Sequence, residues 1–317
     1  MDRIEQRIEE ASHIVVIAHV NPDADSLGAA SAIYTYLLQR HKKVSFYCAS
    51  KHRDQKFVCI PWFEKIRDSF PVSADLAIVL DCASKERLGV DLKCDIINID
   101  HHISNTFYGD LNLVESKALS TTQVLYNWFC KNDVKINAKM ATALYAGLLD
   151  DSEGFISEDV DGTTFALVSE LFALGAESQK CNAFLRRYES LASLRIKGWM
   201  LQNIELFNDA TIATIIVSRD MIETFGAQNS DLTHALEEAL YLPTVKVAFL
   251  LRENRDGSIK CSMRSLDPIN LSEFAQSYNG GGHQRRAGFI LQGDISLAHA
   301  KEEILQKIRK DLGFETK

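Results

Sequence analysis

Short apolar runs alternate with helical patterns through the first half of the chain, and this alternation most restricts the possible fold. Runs rich in Val, Ile and Leu lie at residues 13–19, 44–48, 75–81 and 95–100, and apolar residues recur at helical spacing over 26–40. Strands with nearly continuous apolar character are buried on both faces, as in parallel sheets covered by helices. The sequence therefore predicts an α/β domain with a mostly parallel sheet and helices on both faces.

A second, smaller α+β domain is predicted in the rest of the chain. Residues 211–217, 245–251 and 259–264 have strand character, with helical patterns between and after them. The stretch 188–208 carries one helical pattern that no strand-like run interrupts, so we interpret it as a helical linker. The predicted organisation is a domain over 1–187, a linker over 188–208 and a domain over 209–317.

Charge and cysteine usage exclude several classes of protein. The 317 residues carry a formal net charge of −8, whereas proteins that follow long nucleic acids usually have a basic face, so no such partner is expected. Seven dispersed cysteines without a C-x-x-C pair are typical of reduced thiols in the cytoplasm. No apolar run is long enough for a membrane span, and the amino-terminal residues lack a secretory pattern. We expect a cytoplasmic protein without a membrane partner.

Acidic and histidine side chains cluster at the predicted ends of strands and helices. Four segments contribute them: His19, Asp23 and Asp25; Asp81; Asp100, His101 and His102; and Asp150 and Asp151. Parallel strands present their carboxyl ends at one edge of a sheet, where ligands bind. Carboxylates gathered there repel one another, and cations relieve that cost. Carboxylate and imidazole ligands without nearby thiols favour Mn²⁺ or Mg²⁺, with Zn²⁺ as an alternative. Taken alone, the first segment is also compatible with an aspartate that only caps a helix.

In order and spacing, these segments resemble the four motifs of the DHH phosphoesterase superfamily over about residues 15–155. The resemblance implies two divalent metal ions, with Mn²⁺ expected. It implies two ligand sets and a bridge: His19 and Asp23 in one set, Asp25, His101 and Asp151 in the other, and Asp81 between them. Asp100 would orient an imidazole, and His102 would face the scissile phosphate. Asp151 fits the last motif better than Asp150, because the family has Thr or Ser after that aspartate and Ser152 follows here.

A second motif lies near the carboxyl end, in the run Asn279-Gly-Gly-Gly-His283. Consecutive glycines let the backbone approach a ligand and turn N–H groups toward an anion, although a glycine turn before a strand is the alternative. The run resembles the GGGH motif of the DHHA1 domain, and residues 261–265 resemble that domain's Arg-Ser strand. The substrate-binding candidates are Arg264, Ser265, Gly280, Gly281, Gly282, His283, Arg285 and Arg286.

Three further positions near the metal motifs are secondary candidates. Arg87 resembles a recurrent family position that touches substrate or orders a loop, with a surface ion pair as the alternative. Asn105 is expected to position a loop through side-chain hydrogen bonds. The run 119–122 precedes an apolar helix and is expected to be an N-cap rather than a substrate contact.

The resemblance implies a metal-dependent phosphoesterase. Small proteins that combine these two domains hydrolyse short RNA oligonucleotides and linear dinucleotides to mononucleotides, and dephosphorylate 3′-phosphoadenosine 5′-phosphate. An inorganic pyrophosphatase or exopolyphosphatase is the alternative, although GGGH stands where a Lys/Arg cluster would be expected. A non-catalytic nucleotide- or RNA-binding module is a further alternative, which the complete set of metal-binding positions disfavours. A homodimer is an expectation from the family alone.

Overall fold

The chain folds into two compact units, Met1–Tyr188 and Glu189–Lys317. The computed structural model describes residues 2–51, 53–266, 269–282, 284–293 and 295–313, without the side chains of residues 233 and 234. In this described part of the chain, no helix is long and apolar enough to cross a membrane.

The first unit is an α/β domain built on a five-stranded parallel sheet, as predicted. Its strands are β1 (Ile14–Ala18), β2 (Val44–Tyr47), β3 (Leu76–Leu80), β4 (Asp95–Asp100) and β5 (Leu111–Val114). They pair in the order β2-β1-β3-β4-β5. Its helices are α1 (Arg3–Glu10), α2 (Ala24–Gln39), α3 (Thr121–Lys131), α4 (Ala138–Asp151), α5 (Gly162–Ala173) and α6 (Ser178–Arg187).

The two faces of this sheet are covered unequally. Every residue of β1 and β3 is buried, which explains why both strands have continuous apolar sequences. Side chains such as Val16 and Ile78 pack with the α-helices in the larger core. Side chains such as Val15 and Val79 pack under loop residues and the 3-10 helix Lys85–Leu88. The sequence predicted helices on both faces, but the crossover from β3 to β4 folds as loop and 3-10 helix.

Helices α2 and α4 cross closely because a glycine lies on each. A Cβ atom on Gly28 would lie 2.5 Å from the carbonyl oxygen of Ala143 in α4. A Cβ atom on Gly147 would lie 2.4 Å from Oδ1 of Asp25 in α2. Neither glycine can therefore gain a side chain without moving a neighbour, and the close crossing brings the start of α2 against α4.

The second unit is an α+β domain with a six-stranded mixed sheet. Its strands are β6 (Glu205–Phe207), β7 (Ile212–Val217), β8 (Val247–Glu253), β9 (Ile259–Ser265), β10 (Gly281–Gly282) and β11 (Arg286–Leu291). They run in the order β10-β11-β9-β8-β7-β6, with β7 and β8 parallel and the other pairs antiparallel. Its helices are α7 (Leu191–Gln202), α8 (Arg219–Phe225), α9 (Thr233–Ala239), α10 (Leu271–Gln276) and α11 (Leu297–Asp311).

The stretch 188–208, predicted as one linker helix, contains a helix and a strand of the second unit. Helix α7 ends at Gln202, and β6 pairs antiparallel with β7. Ile196 and Met200 of α7 are fully buried in a core with residues of β7 and β8. The helix is thus held by packing on its own sheet, and the prediction erred because three residues of edge strand are too short to interrupt a helical pattern.

We expect Gly28→Ala to lower the free energy of unfolding by about 1–3 kcal/mol, because overpacking at the α2–α4 crossing forces backbone shifts. Urea denaturation followed by circular dichroism measures this. Gly162→Ala is the matched control in the same unit, since a Cβ atom there would meet nothing within 4 Å. Equal stability of the two variants would contradict the close-crossing argument.

Candidate metal centre

The first part of the site lies between β1 and α2. Asp23 is the N-cap of α2, and its Oδ1 accepts a hydrogen bond from the Ser26 N–H at 2.9 Å. Its Oδ2 lies 3.6 Å from Nε2 of His19, the residue that follows β1. Nδ1 of His19 lies 2.9 Å from the carbonyl oxygen of Val20, which fixes the imidazole ring. Asp23 therefore caps the helix with one oxygen and faces the histidine with the other.

Asp81 follows β3 and lies at the centre of the site. Its side chain is only 2% exposed, and its two oxygens face different neighbours. Oδ2 lies 3.5 Å from Nε2 of His19, and Oδ1 lies 3.7 Å from Nε2 of His101. Its backbone has a φ of 56°, a left-handed conformation that is uncommon for a residue with a side chain. The strained turn aims the carboxylate along the sheet edge between the two histidines.

Asp100, His101 and His102 continue from the end of β4. The buried Asp100 accepts hydrogen bonds through Oδ1 from the N–H of His101 at 2.8 Å and from Nδ1 of His102 at 2.7 Å. Nδ1 of His101 lies 3.2 Å from the carbonyl oxygen of Ala118, so its Nε2 is the nitrogen that faces Asp81. The contact at Nδ1 thus turns Nε2 of His101 to the site, whereas Nδ1 of His102 lies between Asp100 and Asp81, 3.5 Å from Oδ1 of Asp81.

The two aspartates at the end of α4 have different surroundings. Oδ2 of Asp151 lies 3.3 Å from Nε2 of His101. Oδ2 of Asp150 accepts a hydrogen bond from the N–H of Ala24 at 2.9 Å, at the start of α2. A carboxylate is favoured at a helix N-terminus, so Asp150 joins the end of α4 to the segment that carries Asp23 and Asp25.

The role of the α3 N-terminus was not predicted from the sequence. Ser120 is the predicted N-cap, but the next two residues contact the acidic cluster. Both oxygens of Asp25 accept hydrogen bonds from backbone N–H groups, of Thr121 at 2.7 Å and of Thr122 at 3.0 Å. The Thr122 hydroxyl also donates to Asp25 at 2.7 Å, and the Thr121 hydroxyl donates to Asp81 at 2.9 Å. Ser-Thr-Thr is ordinary for a helix cap, so the sequence held nothing to show these contacts.

These side chains form three sets whose ligand atoms lie within 4.8 Å of one another. The sets are His19, Asp23 and Asp81; Asp25, His101 and Asp151; and Asp81, His101 and His102. The first two hold the six residues that the sequence analysis put forward as ligands, and Asp81 lies between them. Buried carboxylates and imidazoles so close together have the donor atoms and negative charge that fit hard divalent cations.

Without a cation, the acidic cluster retains protons. Burial and the charge of Asp25 raise the pKa of Asp81 to about 8. Burial also raises the pKa values of Asp25 and Asp151. For His19, burial acts to lower the pKa, but hydrogen bonds to Asp23 and Asp81 outweigh it and raise the pKa to about 9. These carboxylates therefore bind protons more readily than free carboxylates do, and a cation that neutralised them would compete with those protons.

Arg87 lies beside the first ligand set. Its Nη2 lies 3.0 Å and 3.1 Å from the two ring nitrogens of His19, and its carbonyl oxygen accepts a hydrogen bond from the Val20 N–H at 2.8 Å. The side chain is thus directed at the cluster, rather than forming the surface ion pair considered as the alternative.

In the second unit, the pairing of β9 with β11 brings several predicted substrate-binding residues together. Arg264 lies opposite Arg286, and the N–H of Ser265 donates to the carbonyl oxygen of Arg285 at 3.0 Å. Glu237 accepts a hydrogen bond from Nη2 of Arg286 at 2.8 Å and lies 3.8 Å from Nε of Arg264. The end of β9 and the start of β11 therefore carry neighbouring guanidinium groups beside one carboxylate.

The glycines of the GGGH run differ in what they contact. A Cβ atom on Gly280 or on Gly282 would lie 2.4 Å from a backbone oxygen of β11. A Cβ atom on Gly281 would meet nothing within 4 Å. Gly282 also has a φ of +144°. Packing against β11 thus accounts for the first and third glycines, and Gly281 alone has open space above it. His283 lies outside the described residues.

We expect the metal-free protein to lose stability as pH rises from about 5 to 9. Asp81 and His19 both have raised pKa values in the folded state, at about 8 and about 9, so the folded protein binds more protons than the unfolded chain in this window. Stability is then greatest at the acidic end and falls as these protons leave. A divalent ion should raise Tm more at pH 8 than at pH 5.5, because protons compete with it.

Thermal unfolding with chelator, or with added Mn²⁺ or Mg²⁺, measures these shifts. Asp81→Asn is the control, since removal of this carboxylate should flatten the pH dependence of the metal-free protein. The explanation from bound protons would be contradicted if the Tm of the metal-free native protein rose between pH 5.5 and 8 and the Tm of the variant rose by the same amount.

Two protein-family models match the chain, and known proteins resemble it along most of its length. Residues 13–148 match the model of the DHH family, N-terminal domain, and residues 211–312 match that of the DHHA1 domain. The probable bifunctional oligoribonuclease and PAP phosphatase NrnA of Streptococcus mutans is 26% identical over 96% of both chains. The bifunctional oligoribonuclease and PAP phosphatase NrnA of Thermus thermophilus is 27% identical over 94% of this chain and 90% of its own. The crystal structure of an exopolyphosphatase-related protein from Bacteroides fragilis shares the fold, with a TM-score of 0.88, 23% identity and coverage of 98% and 97%. The chain therefore carries a DHH family N-terminal domain followed by a DHHA1 domain.

Proposed function

We propose that this protein hydrolyses short RNA oligonucleotides and linear dinucleotides to mononucleotides, and converts 3′-phosphoadenosine 5′-phosphate to AMP. The observation that carries the proposal is the position of Asp81, whose two carboxylate oxygens face two separate sets of acidic and histidine ligands. The printed names of the Streptococcus mutans and Thermus thermophilus relatives support this choice of substrates. The function rests on the phosphoesterase chemistry of the DHH family.

We assign two divalent ions to the cluster and favour Mn²⁺. His19 and Asp23 would hold one ion, Asp25, His101 and Asp151 would hold the other, and Asp81 would contact both. Oxygen and imidazole ligands suit Mn²⁺ or Mg²⁺, and imidazole shifts the preference toward Mn²⁺. When bound, such a pair of ions lowers the pKa of water and neutralises phosphoryl charge.

His102 is the proposed proton donor to the leaving oxygen. Asp100 accepts a hydrogen bond from Nδ1 of His102, so Nε2 is left to face a substrate. The hydrogen bond to Asp100 raises the pKa of His102, which keeps a proton available near neutral pH. Arg87, next to His19, is proposed to contact the substrate phosphate or to order the loop that carries it.

The second unit is proposed to bind the nucleotide. Arg264, Arg285 and Arg286 provide guanidinium groups, which bind phosphate with two parallel hydrogen bonds. Ser265 supplies a hydroxyl, and Gly281 leaves room for a close approach to the backbone. His283 is included from the sequence motif. By this assignment, catalysis belongs to residues 1–187 and nucleotide binding to residues 209–317.

A product assay with Mn²⁺ tests the proposal. We expect hydrolysis of a dinucleotide and of 3′-phosphoadenosine 5′-phosphate, slower hydrolysis of a long RNA, and little release of phosphate from pyrophosphate. Asp81→Asn should lower kcat by about 10³-fold or more, since it removes the shared ligand of sites that neutralise the transition state. Preferred hydrolysis of pyrophosphate would favour a pyrophosphatase, and nucleotide binding without any hydrolysis would favour a non-catalytic module.

The assignment of Asp151, rather than Asp150, as the metal ligand can be tested separately by calorimetric titration with Mn²⁺. Asp151→Asn should weaken binding by about tenfold or more, because loss even of an outer partner of a ligand costs that much. Asp150→Asn is the matched control, since an amide oxygen can still accept the Ala24 N–H. The opposite order of affinities would reverse the assignment.

A further inference from the structure

Three polar side chains form a hydrogen-bonded group next to Asp100, the residue that precedes the histidine pair. They are Asn98 of β4, and Asn105 and Tyr108 of the loop between β4 and β5. Asn98 is fully buried and Asn105 is 7% exposed. Buried amides have a cost unless they are hydrogen-bonded, so their partners show what the fold uses them for. We call these three side chains the amide network.

Asn105 contacts Asp100 directly. Its Nδ2 donates to Oδ2 of Asp100 at 2.5 Å, and Oδ1 of the same carboxylate accepts from Nδ1 of His102 at 2.7 Å. Asp100 thus lies between Asn105 and His102, with one oxygen bonded to each. A rotation of this carboxylate would change the orientation of the imidazole.

The orientation of the Asn105 amide is fixed by its other contacts. Nδ2 also donates to Oδ1 of Asn98 at 2.8 Å, and Oδ1 of Asn105 accepts a hydrogen bond from the Phe107 N–H at 2.7 Å. A flipped amide would place its oxygen against two acceptors and its NH₂ group against a donor. The network therefore presents N–H donors to Asp100 in one geometry only.

The same network holds the carbonyl group that follows Asp81. The Tyr108 hydroxyl donates to the carbonyl oxygen of Cys82 at 2.9 Å and accepts a hydrogen bond from Nδ2 of Asn98 at 3.1 Å. Burial raises the pKa of Tyr108 far above its usual range, so the hydroxyl keeps its proton. The strained backbone at Asp81 and the carboxylate of Asp100 are thus fixed from one connected set of side chains.

We infer that Asn98, Asn105 and Tyr108 are positioning residues for His102, acting through Asp100. Their side chains bond to Asp100, to one another and to backbone groups of Cys82 and Phe107, and none is expected to contact substrate. The kinetic part of this inference rests on the proposed function, while the orientation of the imidazole can be measured without any substrate.

A double-mutant cycle on the dinucleotide reaction provides the kinetic test. Asn105→Ala should lower kcat by about 10–100-fold, as is usual for a residue that orients a ligand or catalytic group, with KM changed much less. In the His102→Ala background the same change should have no further effect on kcat, because the group it positions is absent. If the kcat losses of the two single variants multiplied in the double variant, the inference would be overturned.

Asn105→Asp tests whether the shape of this side chain or its hydrogen bond to Asp100 is what matters. It keeps the size of the side chain but places a second carboxylate against Asp100, so it should lower kcat at least as much as Asn105→Ala does. Asn112→Ala is the matched control, since Asn112 bonds the backbone of the same loop at Phe107 and Gly109 without contacting Asp100. A shape-only role would leave Asn105→Asp as active as this control.

Nitrogen NMR of protein labelled in its histidines provides the independent test. The Nδ1 signal of His102, identified by its loss in His102→Ala, should shift in Asn105→Ala and in the milder Tyr108→Phe, and stay unchanged in Asn112→Ala. Unchanged His102 signals in both network variants would overturn the inference, whatever the substrate. If the native protein hydrolysed no substrate while these shifts appeared, the proposed function would fail and the positioning of His102 would stand.

Discussion

The repulsion between buried carboxylates is the constraint on which the first unit depends. Asp25 is fully buried, Asp81 is 2% exposed, and Asp151 is drawn close to both through His101. Ionised carboxylates at these positions cannot be stable together unless positive charge or hydrogen-bond donors surround them. The fold supplies donors from the start of α3 and imidazoles from the ends of β1 and β4. The negative charge that these groups leave uncompensated favours bound protons in the metal-free protein and, in our proposal, divalent ions.

Rigid secondary structure holds these carboxylates close together against their repulsion. Strand ends deliver His19, Asp81 and His101 to one edge of the parallel sheet, where successive strands point the same way. The close crossing of α2 and α4 at Gly28 and Gly147 brings Asp25 within reach of the α3 N-terminus. A looser crossing would leave the Asp25 carboxylate without these donors. The stability of the α2–α4 packing and the charge of the site are therefore linked.

The sequence predicted the parts of the fold that depend on local patterns, and missed those that depend on distant contacts. Strands β1 to β4 of the parallel sheet and the clustering of acidic residues at their ends follow from apolar runs and from where those runs stop, whereas the short edge strand β5 was not predicted. Thr121 and Thr122 were missed because their partner, Asp25, lies 96 or 97 positions away in the chain. The edge strand β6 was missed because its pairing with β7, not its three residues, defines it. The tight packing of Gly280 and Gly282 likewise appears only once β11 is beside them.

Two buried aspartates of the same sheet edge show how the fold assigns different roles to one residue type. Burial raises the pKa of Asp81, and the neighbouring charge of Asp25 raises it further. Burial also acts to raise the pKa of Asp100, but hydrogen bonds from His102 and Asn105 outweigh it and lower the pKa below its usual range. Asp100 is therefore stable as an anion without any cation, whereas Asp81 is not. A carboxylate already satisfied by N–H donors is suited to orient an imidazole, and one surrounded by other carboxylates is suited to bind metal.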